Sequence, residues 1–142
     1  MKTPRRRKRL SSAAIYRFVN RCRAEIKICE RSKAYVAGTV LTGAAVEYIL
    51  TVWIRAFDIL NYAKHRKKLT DHWSLKELID LAYQQGLFDF KAFRAAERIR
   101  KFRNLVHPNW FAGRKPARFT KHVLEARHRD YDTVIDSIQR YI

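Results

Sequence analysis

Nineteen consecutive residues, Val36 to Ile54, carry a single charge, Glu47, in a chain that is 31% charged overall. A run of this kind has to be shielded from water, either by crossing a membrane or by forming the central helix of a bundle. Its length permits a span. Its polar content argues for the bundle: Gly38, Thr39, Thr42, Gly43, Thr51 and a carboxylate interrupt it, and no second segment like it occurs. The expectation is a buried helix that continues through Trp53, Ile54, Phe57 and Leu60 to about Lys64. An ionised carboxylate in such a helix needs a partner, and Arg100 and Arg103 are the cations expected to serve Glu47.

The remaining elements follow from the 3.6-residue period and from capping chemistry. Ser11 or Ser12 caps a first helix running to about Glu30, with Ile15, Phe18, Val19, Cys22, Ile26 and Cys29 as its apolar stripe. Arg31-Ser32-Lys33 breaks the chain, with Ser32 as a cap for the apolar helix. Ser74, followed by Glu77, writes a capping box for a third helix that buries Leu75, Leu78, Ile79 and Ala82 and ends at Gly86. Asp89 opens a fourth helix and Thr120 a last one, whose Leu124, Tyr131, Val134, Ile135 and Ile138 face inward. Residues 1–10 form a basic arm without an apolar face, expected to be disordered, and residues 11–142 a single domain. The fold class is all-α: an antiparallel bundle of four to five helices joined by short connections.

Charge narrows the partners. With 31 Lys+Arg against 13 Asp+Glu, the chain carries +18 and favours polyanions. Arg5, Arg6, Arg7, Lys8 and Arg9 in the arm, with Arg114 and Lys115 in the last long connection, are the expected phosphate contacts. Trp73, Trp110 and Phe111 could stack bases or close the ends of the bundle. Cys22 and Cys29 lie two helical turns apart, too far for a disulfide, and read as reduced core-side residues of a cytoplasmic protein. His122 and His128 are expected on a wet helix face, no metal-ligand spacing occurs and no cofactor motif is present. The basic start is not followed by an apolar signal region.

The densest chemistry lies in the fourth helix, in Arg98-Ile99-Arg100-Lys101-Phe102-Arg103-Asn104-Leu105-Val106-His107-Pro108. At about 100° per residue, Arg100, Arg103, Asn104 and His107 share one face, while Ile99, Phe102, Leu105 and Val106 turn toward a core. Pro108 should stop the helix with His107 in its last turn. Guanidinium, amide and imidazole together can bind a phosphate and move a proton. The alternative is a solvated basic face ending in a histidine C-cap. Glu47 likewise reads either as a carboxylate orienting a catalytic arginine or as a structural ion pair.

The wording R-x-x-R-N-L-V-H-P resembles the signature helix of the HEPN superfamily, an Arg and a His with four to six residues between them and a polar residue often directly after the Arg. Spacing favours Arg100 as the family arginine, whereas the Arg-polar pair Arg103-Asn104 favours Arg103; both are carried. Tyr35 to Leu50 is similar to the second helix of these domains and Ser74 to Phe88 to the third, so the resemblance extends over roughly residues 15–142. It implies a metal-independent endoribonuclease, a toxin or defence effector, in which Arg100, Arg103, Asn104 and His107 cleave RNA through 2′-hydroxyl attack. It also implies a homodimer whose signature helices meet, and leaves room for a cognate antitoxin. Two alternatives stand beside it. One is a non-catalytic HEPN module that binds nucleic acid or nucleotides or acts as an accessory subunit. The other is a membrane-associated protein built around Val36 to Ile54.

Overall fold

The computed structural model describes residues 12–57, 73–106 and 119–140. Five helices make up the fold: α1 (Ser12–Arg31), α2 (Tyr35–Phe57), α3 (Leu75–Gln84), α4 (Phe90–Asn104) and α5 (Lys121–Gln139), with no strand among the described residues. The all-α expectation holds. The arm of residues 1–10 and the expected continuation of α2 past Phe57 lie outside the described residues.

Helix α2 packs against all four other helices. Cys29 of α1 approaches Gly38 near the start of α2, while Ile15 shares a small apolar cavity with Ile49 and Trp53 further along it, so α1 and α2 run antiparallel. Asp89 reaches Ser137, Arg98 reaches Asp130 and Phe102 meets Arg127, so α4 and α5 are antiparallel as well. The core is built from Ile26, Leu50, Trp53, Ile79, Phe88, Ile99 and Tyr131, each buried to within 2% exposure. Ala92, Ala95 and Ala96 give α4 a small-residue face that is fully buried.

The polar residues of α2 are satisfied inside the helix. The hydroxyls of Thr39, Thr42 and Thr51 donate to the carbonyls of Tyr35, Gly38 and Glu47, four residues back, at 2.8–2.9 Å. A helix with its hydroxyls folded back in this way can be buried without orphaned donors. Of the described helices it alone is long and apolar enough to cross a membrane, and over half of that stretch is buried against its neighbours. Tyr131 of α5 donates its phenol to the Val19 carbonyl at 3.1 Å, and burial pushes its pKa well above the ordinary phenol value.

The caps and helix faces follow the sequence closely, with three corrections. Ser74, Asp89 and Thr120 each accept a backbone N–H three residues on, as their helix starts require. Ser32, however, donates to the Ile28 carbonyl and so closes the end of α1 instead of capping α2. Lys33 follows at φ 59°, the left-handed conformation that ends many helices, here adopted without glycine. The second correction concerns α4, whose α-helical bonding stops at Asn104. The amides of Leu105 and Val106 bond three residues back, to Phe102 and Arg103, tightening the turn ahead of Pro108. The third is His128, which is buried at 8% exposure with its Nδ1 2.9 Å from Glu30 of α1, whereas His122 is exposed as expected. An inter-helix carboxylate draws His128 inward, a pairing that periodicity within α5 cannot reveal.

Gly38 is a close-packing position: a Cβ there would lie 2.6 Å from a Leu124 methyl and 3.0 Å from Cys29 Cβ. Gly38→Val should therefore lower stability by about 1–3 kcal/mol in urea unfolding, with Gly38→Ala less affected because one methyl demands a smaller shift.

Candidate nucleic-acid site at the end of α4

Arg100, Arg103 and Asn104 occupy the last turns of α4, but they do not act as one face. Arg100 turns back along its own helix. Its Nε and Nη2 donate to the two carboxylate oxygens of Glu97 at 3.2 and 2.9 Å, and both side chains are only 19% exposed. The hydrogen bonds from Arg100 to Glu97 raise the arginine's pKa, and Asp80 of α3 adds a smaller pull in the same direction. Asn104, the final residue of α4, is exposed.

Arg103 crosses to α2. Its Nη1 donates to Glu47 Oε2 at 2.5 Å, and each partner is about one-third exposed. The contact depends on Gly43, one turn before Glu47 on the same face of α2. A Cβ at Gly43 would stand 2.6 Å from Arg103 Cδ and 3.0 Å from its Cβ, so the arginine stem lies directly over the glycine. Gly43 leaves the space and Glu47 holds the head group. Among the described residues Nη1 is the single guanidinium nitrogen of Arg103 in a hydrogen bond.

Of the two cations expected to serve Glu47, Arg103 does so. The partner of Arg100, Glu97, was not among the expected site residues, although its i,i+3 spacing was readable. A neighbouring network was also missed. Asp130 of α5 takes Arg98 through hydrogen bonds of 2.9–3.2 Å and approaches Arg127 Nε at 2.9 Å. The Arg127 guanidinium sits 4.2 Å from the Phe102 ring centroid, and burial lowers its pKa against the opposing pull of Asp130. This cation–π contact and the two-arginine carboxylate fasten the final turns of α4 to α5. His107, Arg5, Arg6, Arg7, Lys8, Arg9, Arg114 and Lys115 lie outside the described residues.

The arrangement offers an oriented, partly exposed guanidinium and an exposed amide next to it, a pair able to hold one phosphate. Among the described residues no three His, Cys, Asp or Glu side chains gather as metal ligands would. Compared with protein-family models, with curated proteins and with solved structures, the chain gives no match.

At one-third exposure the Glu47–Arg103 pair should contribute little to stability. A double-mutant cycle of Glu47→Gln with Arg103→Gln should yield a coupling of about 0.2–1 kcal/mol in urea unfolding. Repeating the cycle in a Gly43→Ala background should bring that coupling toward zero, because the added methyl displaces the arginine stem.

Proposed function

We propose that the protein is a metal-independent endoribonuclease of HEPN type, acting in the cytoplasm as a toxin or defence effector. The observation that carries this reading is the Glu47–Arg103 pair: a carboxylate on the buried α2 aims a guanidinium at the end of α4 and, among the described residues, engages only one of its donor nitrogens. Asn104 stands exposed beside it, and His107 follows three residues later in the sequence. A net charge of +18 supplies the attraction for a polyphosphate substrate.

In this reading Arg103 is the family arginine. It holds the scissile phosphate and stabilises the charge that grows on it. Asn104 orients the substrate, and Glu47 is a positioning residue acting through Arg103. His107 takes the proton from the ribose 2′-hydroxyl or delivers one to the leaving 5′-oxygen. The 2′-oxygen forms the new bond to phosphorus as the bond to the 5′-oxygen breaks, giving a 2′,3′-cyclic phosphate and a free 5′-hydroxyl. One histidine supplies one of the two proton transfers, which favours a homodimer with two such helices facing a common cleft. A cognate antitoxin would then cover that cleft.

A second reading, RNA binding without cleavage, is favoured by Arg100. Its guanidinium fork is already engaged by Glu97, so it lacks the freedom of a phosphate clamp.

Purified protein incubated with total RNA in EDTA should produce fragments with cyclic-phosphate ends. His107→Ala should lower the cleavage rate about 10²–10⁴-fold while leaving RNA affinity nearly unchanged. Arg103→Ala should lose rate, and Arg100→Ala mainly stability or affinity. Cleavage abolished by EDTA, or retained in His107→Ala, overturns the mechanism; tight binding with no cleavage selects the second reading instead. Light scattering at tens of micromolar should give the mass of a dimer.

A further inference from the structure

At the opposite end of α4 from Arg103, three aromatic rings meet at the surface. Phe93, packed against the core, stacks on Tyr83 of α3 with centroids 4.6 Å apart and planes at 29°. Phe90 lies 6.2 Å from both rings. Tyr83 and Phe90 are 40% and 56% exposed, so the cluster is held by Phe93 while its two other rings meet water. The Arg94 guanidinium sits over one face of the Phe90 ring, 5.9 Å from its centroid, adding a cation to the cluster. None of these residues belongs to the site at the other end of the helix.

The helical period joins the two ends. Phe90, Arg94, Lys101 and Asn104 fall within one narrow stripe of α4, and all four are exposed. The one acid on that stripe is Glu97, and Arg100 neutralises it through two hydrogen bonds. Arg100 thereby acquires a purpose other than phosphate binding: it cancels the one acid, so the stripe carries the charge of Arg94 and Lys101. The stripe spans about 20 Å at 1.5 Å per residue.

We infer that the Tyr83–Phe90–Phe93 cluster is a base-stacking platform for single-stranded RNA, whose backbone then follows Arg94 and Lys101 along α4 toward Asn104 and Arg103. The inference rests on the reading of the α4 end as an RNA site, though not on cleavage there. Exposed rings beside cations accept the flat face of any base, while a duplex keeps those faces stacked internally. A second copy of the chain fits the patch poorly, because Arg94 and the exposed Lys91 would bring like charges together in a protein already at +18.

The test is fluorescence anisotropy with a single-stranded 2′-O-methyl RNA of mixed sequence, which cannot be cut by 2′-hydroxyl attack, and with the corresponding duplex. Phe90→Ala should weaken single-strand binding roughly tenfold, Phe90→Tyr should restore it, and duplex binding should be unchanged in both. Arg94→Gln should flatten the slope of log K against log salt by about 0.7. Unchanged single-strand affinity in both Phe90→Ala and Tyr83→Ala overturns the platform. So does an equal loss on duplex, or a shift of the Phe90→Ala protein to a smaller sedimenting mass, which would assign the patch to a second copy. Because the probe is uncleavable, failure of the nuclease reading appears separately, as native RNA left intact.

Discussion

Helix α2 has to be enclosed on most of its surface, and the rest of the bundle is arranged to do so. Its apolar length would be a liability in water, and its threonines and glutamate a liability in a dry interior. Both are met within the helix. The threonine hydroxyls return to its own carbonyls, and the two glycines let neighbours approach closely, Leu124 and Cys29 at Gly38 and the arginine stem at Gly43. Four helices can then pack against a fifth without leaving buried donors unpaired along its threonine face, while Val36, Val40 and Tyr48 stay on its open side. The same close approach at Gly43 lets Glu47, one-third exposed at the edge of the bundle, find its cation.

Electrostatics follow from scarcity. With more than twice as many cations as acids, a carboxylate inside the bundle faces no shortage of partners, and several of them organise junctions. Glu30 meets His128 and Asp132 meets Arg23 where α1 joins α5; Asp130 gathers Arg98 and Arg127 where α4 joins α5; Glu47 takes Arg103 where α2 joins α4. These acids therefore work as inter-helix fasteners. Exposed cations such as Lys91, Arg94 and Lys101 are left to form a positive surface. Such a distribution holds the compact state together against its own net charge while preserving attraction for a polyanion.

Much of the fold was legible because it is local. Helix starts at Ser74, Asp89 and Thr120, the stripe Leu124, Tyr131, Val134, Ile135 and Ile138, and the burial of α2 are all written in spacings of three and four. What escaped was long-range or depended on exact helix termini. His128 looks like a surface histidine until α1 supplies Glu30, and Ser32 can cap either of the helices it separates. The candidate site was legible in composition but not in geometry. Arg100 and Arg103 are about 60° apart on the helix, close enough to read as one face, yet different carboxylates claim them. The Arg103–Glu47 pairing was one of two open choices, and only the glycine beneath the arginine stem explains which is made.

The phenol of Tyr131 bonding to the carbonyl of Val19 spans 112 positions of the chain. With the Glu30–His128 and Arg23–Asp132 contacts beside it, this bond means that α1 remains without its main polar partners until α5 has been synthesised. During translation α1 and α2 can pair as a hairpin as soon as they emerge, but the other flank of α2 stays wet. A ribosome that stalls before α5 thus presents an apolar α2 with no closed core around it. Closure of the bundle is consequently timed by α5, and nascent chains are at their most exposed to chaperones and proteases just before that helix arrives.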